Sequence, residues 1–381
     1  MTSDAGRPPT AEELRAAFEA AGRYTVGLEE ELLLLDPNSL ELAPRAREVL
    51  GWVEGDPRFK PELPASQIEI VTPPYPSAAQ AGAALLAARR ELAAAVDGRL
   101  ALAGAGVSPL GSGRGEITAG ARYRRTLREY GPIARRQLVC ALQVHVAVPG
   151  AERALAVYNQ ARTYLPWLAA LAANARYYEG RDTGLASVRP KLSQLLPRQG
   201  IPPPLASWEQ YAEALSWGAR SGTIPDTASW WWELRPHPRF GTLEFRVPDT
   251  QATVGEATAI CALIQSLVAW LAERHREGKP VPVADGWRLE ENRWSACRHG
   301  LEGELVDPHS GRRASTRGCL LELVQALSGT ARGLGAGREL ARVTALIERN
   351  GAIRQRQAGE QGGARAVADM LVERFLEAGS G

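Results

Sequence analysis

Residues 24–36, YTVGLEEELLLLD, run through a rich apolar stretch and end at the turn formers Asp36-Pro37-Asn38, which predicts a β-strand closed by a turn. Successive side chains of a strand point to opposite faces. Glu29 and Glu31 therefore share one face, and Leu28, Glu30 and Leu32 share the other. Three later stretches repeat the arrangement. In QIEIVT, Gln67 and Glu69 oppose Ile68 and Ile70; in LQVHVAV, Gln143 and His145 oppose Leu142, Val144 and Val146; in TLEFRV, Glu244 and Arg246 oppose Leu243, Phe245 and Val247. This alternation predicts an antiparallel sheet with one apolar face.

The polar face has a bland reading, since a solvated sheet alternates in the same way. The residue types argue for chemistry: the slots hold Glu, His and Arg in place of the usual mixture of Lys, Thr and Ser. Carboxylates crowded on one face repel one another unless cations lie between them. Mg²⁺ or Mn²⁺, which take oxygen ligands and tolerate one imidazole, suit such a set. Zinc suits it less, because no HxxEH-type or cysteine ligand set is present.

A second cluster is WWWELRPHPRFGTLEFRV, residues 230–247. Arg235, Arg239 and Arg246 are suited to bidentate contacts with phosphate or carboxylate. His237, between two prolines, is expected in a fixed loop, and Trp230–Trp232 are expected to pack in the core rather than stack on a nucleobase. RYRR (122–125) reads as a solvated charge run. The glycine-bearing loop 104–115 lacks GxxxxGK[ST], so it is no P-loop, and no GxSxG nucleophile elbow occurs. Cys140 reads as core.

Around these strands, residues 1–22 read as a loose tail holding a short amphipathic helix, and 23–381 as a single catalytic domain with a helical C-terminal part. Residues 61–72 and 138–149 bound the second and third alternating strands, and 101–115 pass from a buried strand into a loop. Ser77 is placed to cap a helix running to residue 100. Residues 151–177 are helical with a bend or restart at Pro166, and 180–205 are loop. Helices are predicted over 252–277, 316–334, 337–350 and 363–377. Strands dispersed among helices, ending in a helical block, predict an α+β fold.

Composition narrows the class. The chain has 381 residues, 45% apolar and 23% charged, which describes a globular protein. A net charge of only +2, with basic residues scattered among acids, argues against a nucleic-acid partner. The four cysteines lie far apart, excluding zinc-finger and disulfide-scaffold readings. The N-terminus has no apolar signal core, and charges interrupt the Ala/Leu-rich stretches, so a cytoplasmic protein without a membrane span is expected.

Taken in order, VGLEEELLLLDP, ELPASQIEIVTP, RYRRTLREYGPIARRQLVCALQVHV, YEGRDTGLASVRP, WWWELRPHPRFGTLEFRVPDTQ and ENRW resemble the bacterial carboxylate–amine ligases of the glutamate–cysteine ligase type 2 family. The resemblance implies a glutamine synthetase-like catalytic fold: a curved, mainly antiparallel sheet with helices packed on its convex side and metal-bound ATP on its concave face. It implies that Glu29, Glu31, Glu62, Glu69, His145 and Glu244 hold Mg²⁺ or Mn²⁺, and that Arg246 and Arg235 act on ATP and the transferring phosphoryl group. The implied reaction is ATP-dependent formation of an amide from a γ-carboxylate, that of glutamate, through an acyl phosphate. Cysteine is the leading acceptor. Partners are then small-molecule substrates, without nucleic acid or membrane, and a homo-oligomer stays open. Asn292 and Trp294 match the ENRW motif without an assigned role. YYEGRDTG and VRPKLSQLLPRQG depart from the family around the acceptor side, which leaves a different amine or amino acid as an alternative. A metal-dependent amidohydrolase is a further alternative, although five histidines are few for its ligand sets.

Overall fold

In the computed structural model, which describes residues 7–224 and 226–377, Val26–Leu35 forms a ten-residue strand, β1, inside a seven-stranded antiparallel sheet. The other strands of that sheet are β2 (Phe59–Pro61), β3 (Gln67–Val71), β4 (Ala101–Ala103) and β5 (Leu142–Ala147). A separate hairpin follows, β6 (Tyr177–Tyr178) and β7 (Arg181–Asp182), and the large sheet is completed by β8 (Leu234–His237) and β9 (Thr242–Phe245). The order across the sheet is β2-β3-β1-β5-β9-β8, with β4 pairing β1 off this path. The mixed helix and antiparallel-sheet architecture is the expected α+β fold.

Register decides what the sheet presents. Glu31 faces Glu69 across β1 and β3, and Glu29 faces Gln143 across β1 and β5. His145 faces Glu244, which in turn faces Arg235. These side chains therefore share one face. The opposite face carries Leu28, Leu32, Ile68, Ile70, Val144, Val146, Leu243 and Phe245, all fully buried. They join a continuous core to which the helices Ala78–Val96 and Val254–Arg276 contribute. Burying a side chain of this size contributes about 1.5–3 kcal/mol. A one-residue slip would expose the whole set, so the core enforces the register that gathers the acids.

Both helices begin at side-chain caps. Ser77 Oγ accepts from Gln80 N, and Thr253 with Glu256 forms a capping box. By length and composition Val254–Arg276 is apolar enough to cross a membrane, which corrects the expectation that no segment would be; its charges cluster near its ends, and 89% of its apolar window is buried inside the protein.

Glu30 is the exception on the apolar face. It is fully buried in an ion pair with Arg89, at 2.7 and 2.8 Å. Arg89 also donates to the carbonyls of Gln251, Ala252 and Phe375 at 2.8–3.0 Å. Such a pair persists when its remaining donors are satisfied, as they are here.

Other expectations need correction. His237 ends β8 instead of lying in a loop; Pro236 is tolerated because β8 is an edge strand. The region 151–177 divides into Ala151–Ala161 and Leu165–Leu171, with Pro166 in the first turn, where no N–H is needed. The stretch 180–205 holds the short helix Arg189–Ser193. The helix expected over 337–350 is two, Gly337–Ala341 and Val343–Glu348, and the last helix, Gly351–Glu373, is kinked at Gly362 and Gly363. Helices Ala121–Tyr130, Trp208–Ser221 and Gly286–His299 were not foreseen. The first buries no residue and so has no apolar stripe to read. Of the expected tail, residues 1–6 lie outside the described residues, and the helix Ala11–Glu19 buries Leu14 and Phe18.

Candidate active site

Six of the eight sequence-predicted site residues, Glu29, Glu31, Glu62, Glu69, Arg235 and Arg246, line a cleft of about 400 Å³ on the polar face of the sheet. The other two, His145 and Glu244, are buried beside Glu29: His145 Nε2 lies 3.5 Å from Glu29 Oε1 and 4.0 Å from Glu244 Oε2. Glu62, carried over only by family resemblance, follows β2 directly and reaches the same cluster as Glu31 and Glu69.

The acids fall into two groups. Glu31, Glu62 and Glu69 each offer a ligand atom within 4.8 Å of the others. Glu29, His145 and Glu244 form the second group, one row further along the sheet. A glutamine connects them. Gln143 Nε2 donates to Glu31 Oε1 at 3.1 Å, while its Oε1 accepts from Arg246, which also donates to Glu244. Arg235 Nε donates to Glu244 Oε2 at 2.6 Å. Ala141 N donates to the other oxygen of Glu31 at 2.7 Å, so that carboxylate is fixed from two sides.

The two groups differ in electrostatics. Burial, followed by the neighbouring Glu62, pushes the Glu31 carboxyl up to about 8. Burial also raises Glu62, and burial with Glu29, Glu62 and Glu31 nearby holds Glu69 well above the usual range. In the second group burial acts in the same sense but is outweighed. His145 brings Glu29 down to about 2, and Arg235 and Arg246 hold Glu244 well below the ordinary value. The first group is thus an acid cluster short of positive charge, and the second is compensated by protein cations.

This donor set fits a hard divalent cation. Three carboxylates without sufficient counter-charge converge on one point, and oxygen ligands of this kind suit Mg²⁺ or Mn²⁺. His145 Nδ1 is engaged with Thr242 Oγ1 at 3.0 Å, while its buried Nε2 has no hydrogen-bond partner among the described residues and lies 3.5 and 4.0 Å from two carboxylates. A buried nitrogen left in that state is costly unless a ligand satisfies it.

Several lining residues had no assigned role. Lys60 stands opposite Glu69 in register, and Arg122, Arg125 and Tyr130 reach the cleft from the helix Ala121–Tyr130. RYRR is therefore more than a solvated face, although nothing in its spacing showed that it would fold over the sheet. The tryptophans divide: Trp230 and Trp232 pack with the core, whereas Trp231 lines the cleft edge-on to Tyr130 at 5.8 Å. The ENRW motif is structural in its middle: Asn292 pins Val306 through two hydrogen bonds of 2.7 and 2.8 Å, and Arg293 forms a buried forked pair with Glu233. Trp294 is exposed.

Residues 25–369 match the family model described as Glutamate-cysteine ligase family 2. A Rubrobacter xylanophilus protein named "Putative glutamate--cysteine ligase 2-3" is 41% identical, over 94% of this chain and 99% of its own length. A similarly named Gloeobacter violaceus protein is 34% identical, over 95% and 98%. In fold, the chain is similar to the glutamate–cysteine ligase of Francisella tularensis, solved in complex with AMP. The TM-score is 0.65 at 11% identity, covering 93% of this chain and 90% of that one. It is also similar to a bifunctional glutathione synthetase from Pasteurella multocida, with a TM-score of 0.64 at 15% identity, covering 96% of this chain and 53% of that longer one.

Proposed function

We propose, from the premise that the chain belongs to the glutamate–cysteine ligase family 2, that this ATP-dependent carboxylate–amine ligase joins the γ-carboxylate of glutamate to cysteine through an acyl phosphate. The observation that carries the reading is the pairing of an under-compensated acid cluster, Glu31, Glu62 and Glu69, with two guanidinium groups anchored on Glu244 in one cleft. Phosphoryl transfer to a carboxylate brings anions together, and the protein's part is to position them and neutralise their charge.

Glu31, Glu62 and Glu69 would hold one divalent cation, and Glu29, His145 and Glu244 another. Bound there, Mg²⁺ or Mn²⁺ would supply positive charge to offset the anionic reactants. The donor's carboxylate oxygen attacks the γ-phosphorus and ADP leaves; the amine nitrogen then attacks the acyl carbon, inorganic phosphate leaves and the nitrogen sheds a proton. Arg246, held by Glu244 and lining the cleft, would present its remaining N–H groups without reorganising as charge builds on the transferred group, and Arg235 holds the same Glu244 from the other side.

The test is ADP release by the purified protein with ATP, a divalent cation, glutamate and a panel of amines, with product masses measured. ADP formation that requires both glutamate and an amine, with an amide product, is expected. Hydrolysis of an amide without ATP would replace this reading by the amidohydrolase one. A product mass carrying a different amine would keep the ligase and move the acceptor.

A further inference from the structure

The hairpin tip between β8 and β9 carries residues that the proposed chemistry leaves unused. Phe240 is 58% exposed and lies flat on His237, with ring centroids 4.1 Å apart and planes only 6° from parallel. His237 in turn meets His145 edge-on at 5.6 Å, and Phe240 is 6.1 Å from the same ring. A lone exposed aromatic is ordinary on a protein surface. Phe240 differs in being the outer leaf of a ring stack whose inner end is the imidazole of the Glu29–His145–Glu244 group.

The tip is also held in place. Gly241, at φ 60°, lies so close to the first helix that a Cβ there would come within 2.2 Å of the Ala17 carbonyl oxygen, and its own carbonyl accepts from Val148 N at 3.3 Å. Arg239 N donates to His237 Nδ1 at 3.4 Å, which fixes the imidazole beneath Phe240. The tip is thus a held aromatic face, one ring beyond the Glu29–His145–Glu244 group proposed to hold a divalent cation.

The geometry points to Phe240 as the platform on which the base of the nucleotide substrate stacks, with His237 as its backing ring. This assignment rests on the proposal that the chain uses ATP, and it gives the nucleotide a direction: phosphates toward His145 and Glu29, base toward the hairpin tip. Stacking on an aromatic face tolerates any base, since every base has a π-face. The platform therefore confers affinity with little preference between adenine and guanine.

The test is equilibrium binding of a non-hydrolysable ATP analogue and of inorganic tripolyphosphate, each with Mg²⁺, to the wild-type protein and to Phe240→Ala and Phe240→Trp. Loss of one base stack predicts that Phe240→Ala weakens analogue binding about 5- to 150-fold. Binding of tripolyphosphate, which has no base, stays unchanged, and Phe240→Trp retains affinity. Equal analogue binding by wild type and Phe240→Ala overturns the platform alone. Equal weakening of analogue and tripolyphosphate overturns it too, because the ring would then act on the phosphate site. A wild-type protein that binds neither probe removes the ligase reading and this inference together.

Discussion

Glu31 and Glu69 stand directly opposite each other across β1 and β3, both buried, with ligand atoms that converge with that of Glu62. Like charges directly opposite one another destabilise a sheet, so on the proposed reading the pair gives up stability for a cation site. Glu69→Gln is therefore expected to unfold at a slightly higher temperature than wild type at pH 8 in a chelator. In the same variant, added Mn²⁺ should raise the unfolding temperature far less than in wild type, and ligation should fall by orders of magnitude. Thermal melts with and without Mn²⁺, set beside the ADP assay, check all three. A variant that keeps the full Mn²⁺ shift would remove Glu69 from the ligand set.

The raised carboxyl of Glu31 makes a pH prediction whose sign is fixed. Its folded value, about 8, lies above the ordinary 4.5, so the folded chain binds this proton more tightly than the unfolded chain does. That contribution is complete below about pH 4.5 and is lost as pH rises through about 8. The depressed groups Glu29 and Glu244 act oppositely: their contribution is present above the ordinary carboxylate value and disappears on acidification. Without divalent cations, stability should decline from pH 5 to pH 9, and Glu31→Gln should flatten that limb. Denaturant titrations across this range measure it. A decline of equal slope in Glu31→Gln would assign the effect to other groups.

The arrangement of the acids was legible because side-chain alternation in a strand has a period of two and the apolar core tolerates no slip. Glu29, Glu31, Glu69, Gln143, His145, Glu244 and Arg246 could be assigned to one face from local sequence alone. Glu62 could not: it sits just past β2, outside any alternating run, and only the family resemblance pointed to it. Long-range partners were equally invisible. Nothing near Glu30 announces Arg89, and the role of Gln143 between Glu31 and Arg246 depends on strand order. The helix Ala121–Tyr130 was missed because a helix with no buried face lacks the periodic apolar signal that identifies one.

Arg235 and Arg246 both hold Glu244, yet their removal should have different consequences. Arg235 is almost wholly buried and also donates to the Trp230 carbonyl at 3.1 Å, so Arg235→Ala leaves a buried carboxylate poorly compensated. Breaking a buried pair costs about 3–5 kcal/mol, and Arg235→Ala should lose stability together with activity. Arg246 lines the cleft and its side chain retains 20% exposure. Arg246→Ala should lower turnover by about 10²–10³-fold, the usual effect of removing one donor to developing charge, with a smaller loss of stability. Urea unfolding and steady-state kinetics on both variants separate the two roles. Equal stability losses would contradict the division.

Behind the site, Arg89 and Glu30 allow a sharper comparison. Glu30→Gln keeps the shape and an acceptor oxygen for Arg89, so it removes a charge while retaining part of the hydrogen bonding. Arg89→Met leaves the Glu30 carboxylate buried and unpaired, and it withdraws donors from the carbonyls of Gln251, Ala252 and Phe375 at once. Arg89→Met should therefore cost the larger share, about 3–5 kcal/mol or more, and Glu30→Gln distinctly less. The double variant Glu30→Leu/Arg89→Met should recover only part of the loss, because the three carbonyls remain without their donor in a buried setting. Linear extrapolation of urea unfolding gives the three numbers. Full recovery in the double variant would mean that the carbonyl contacts contribute nothing, and that Arg89 is present only to neutralise Glu30.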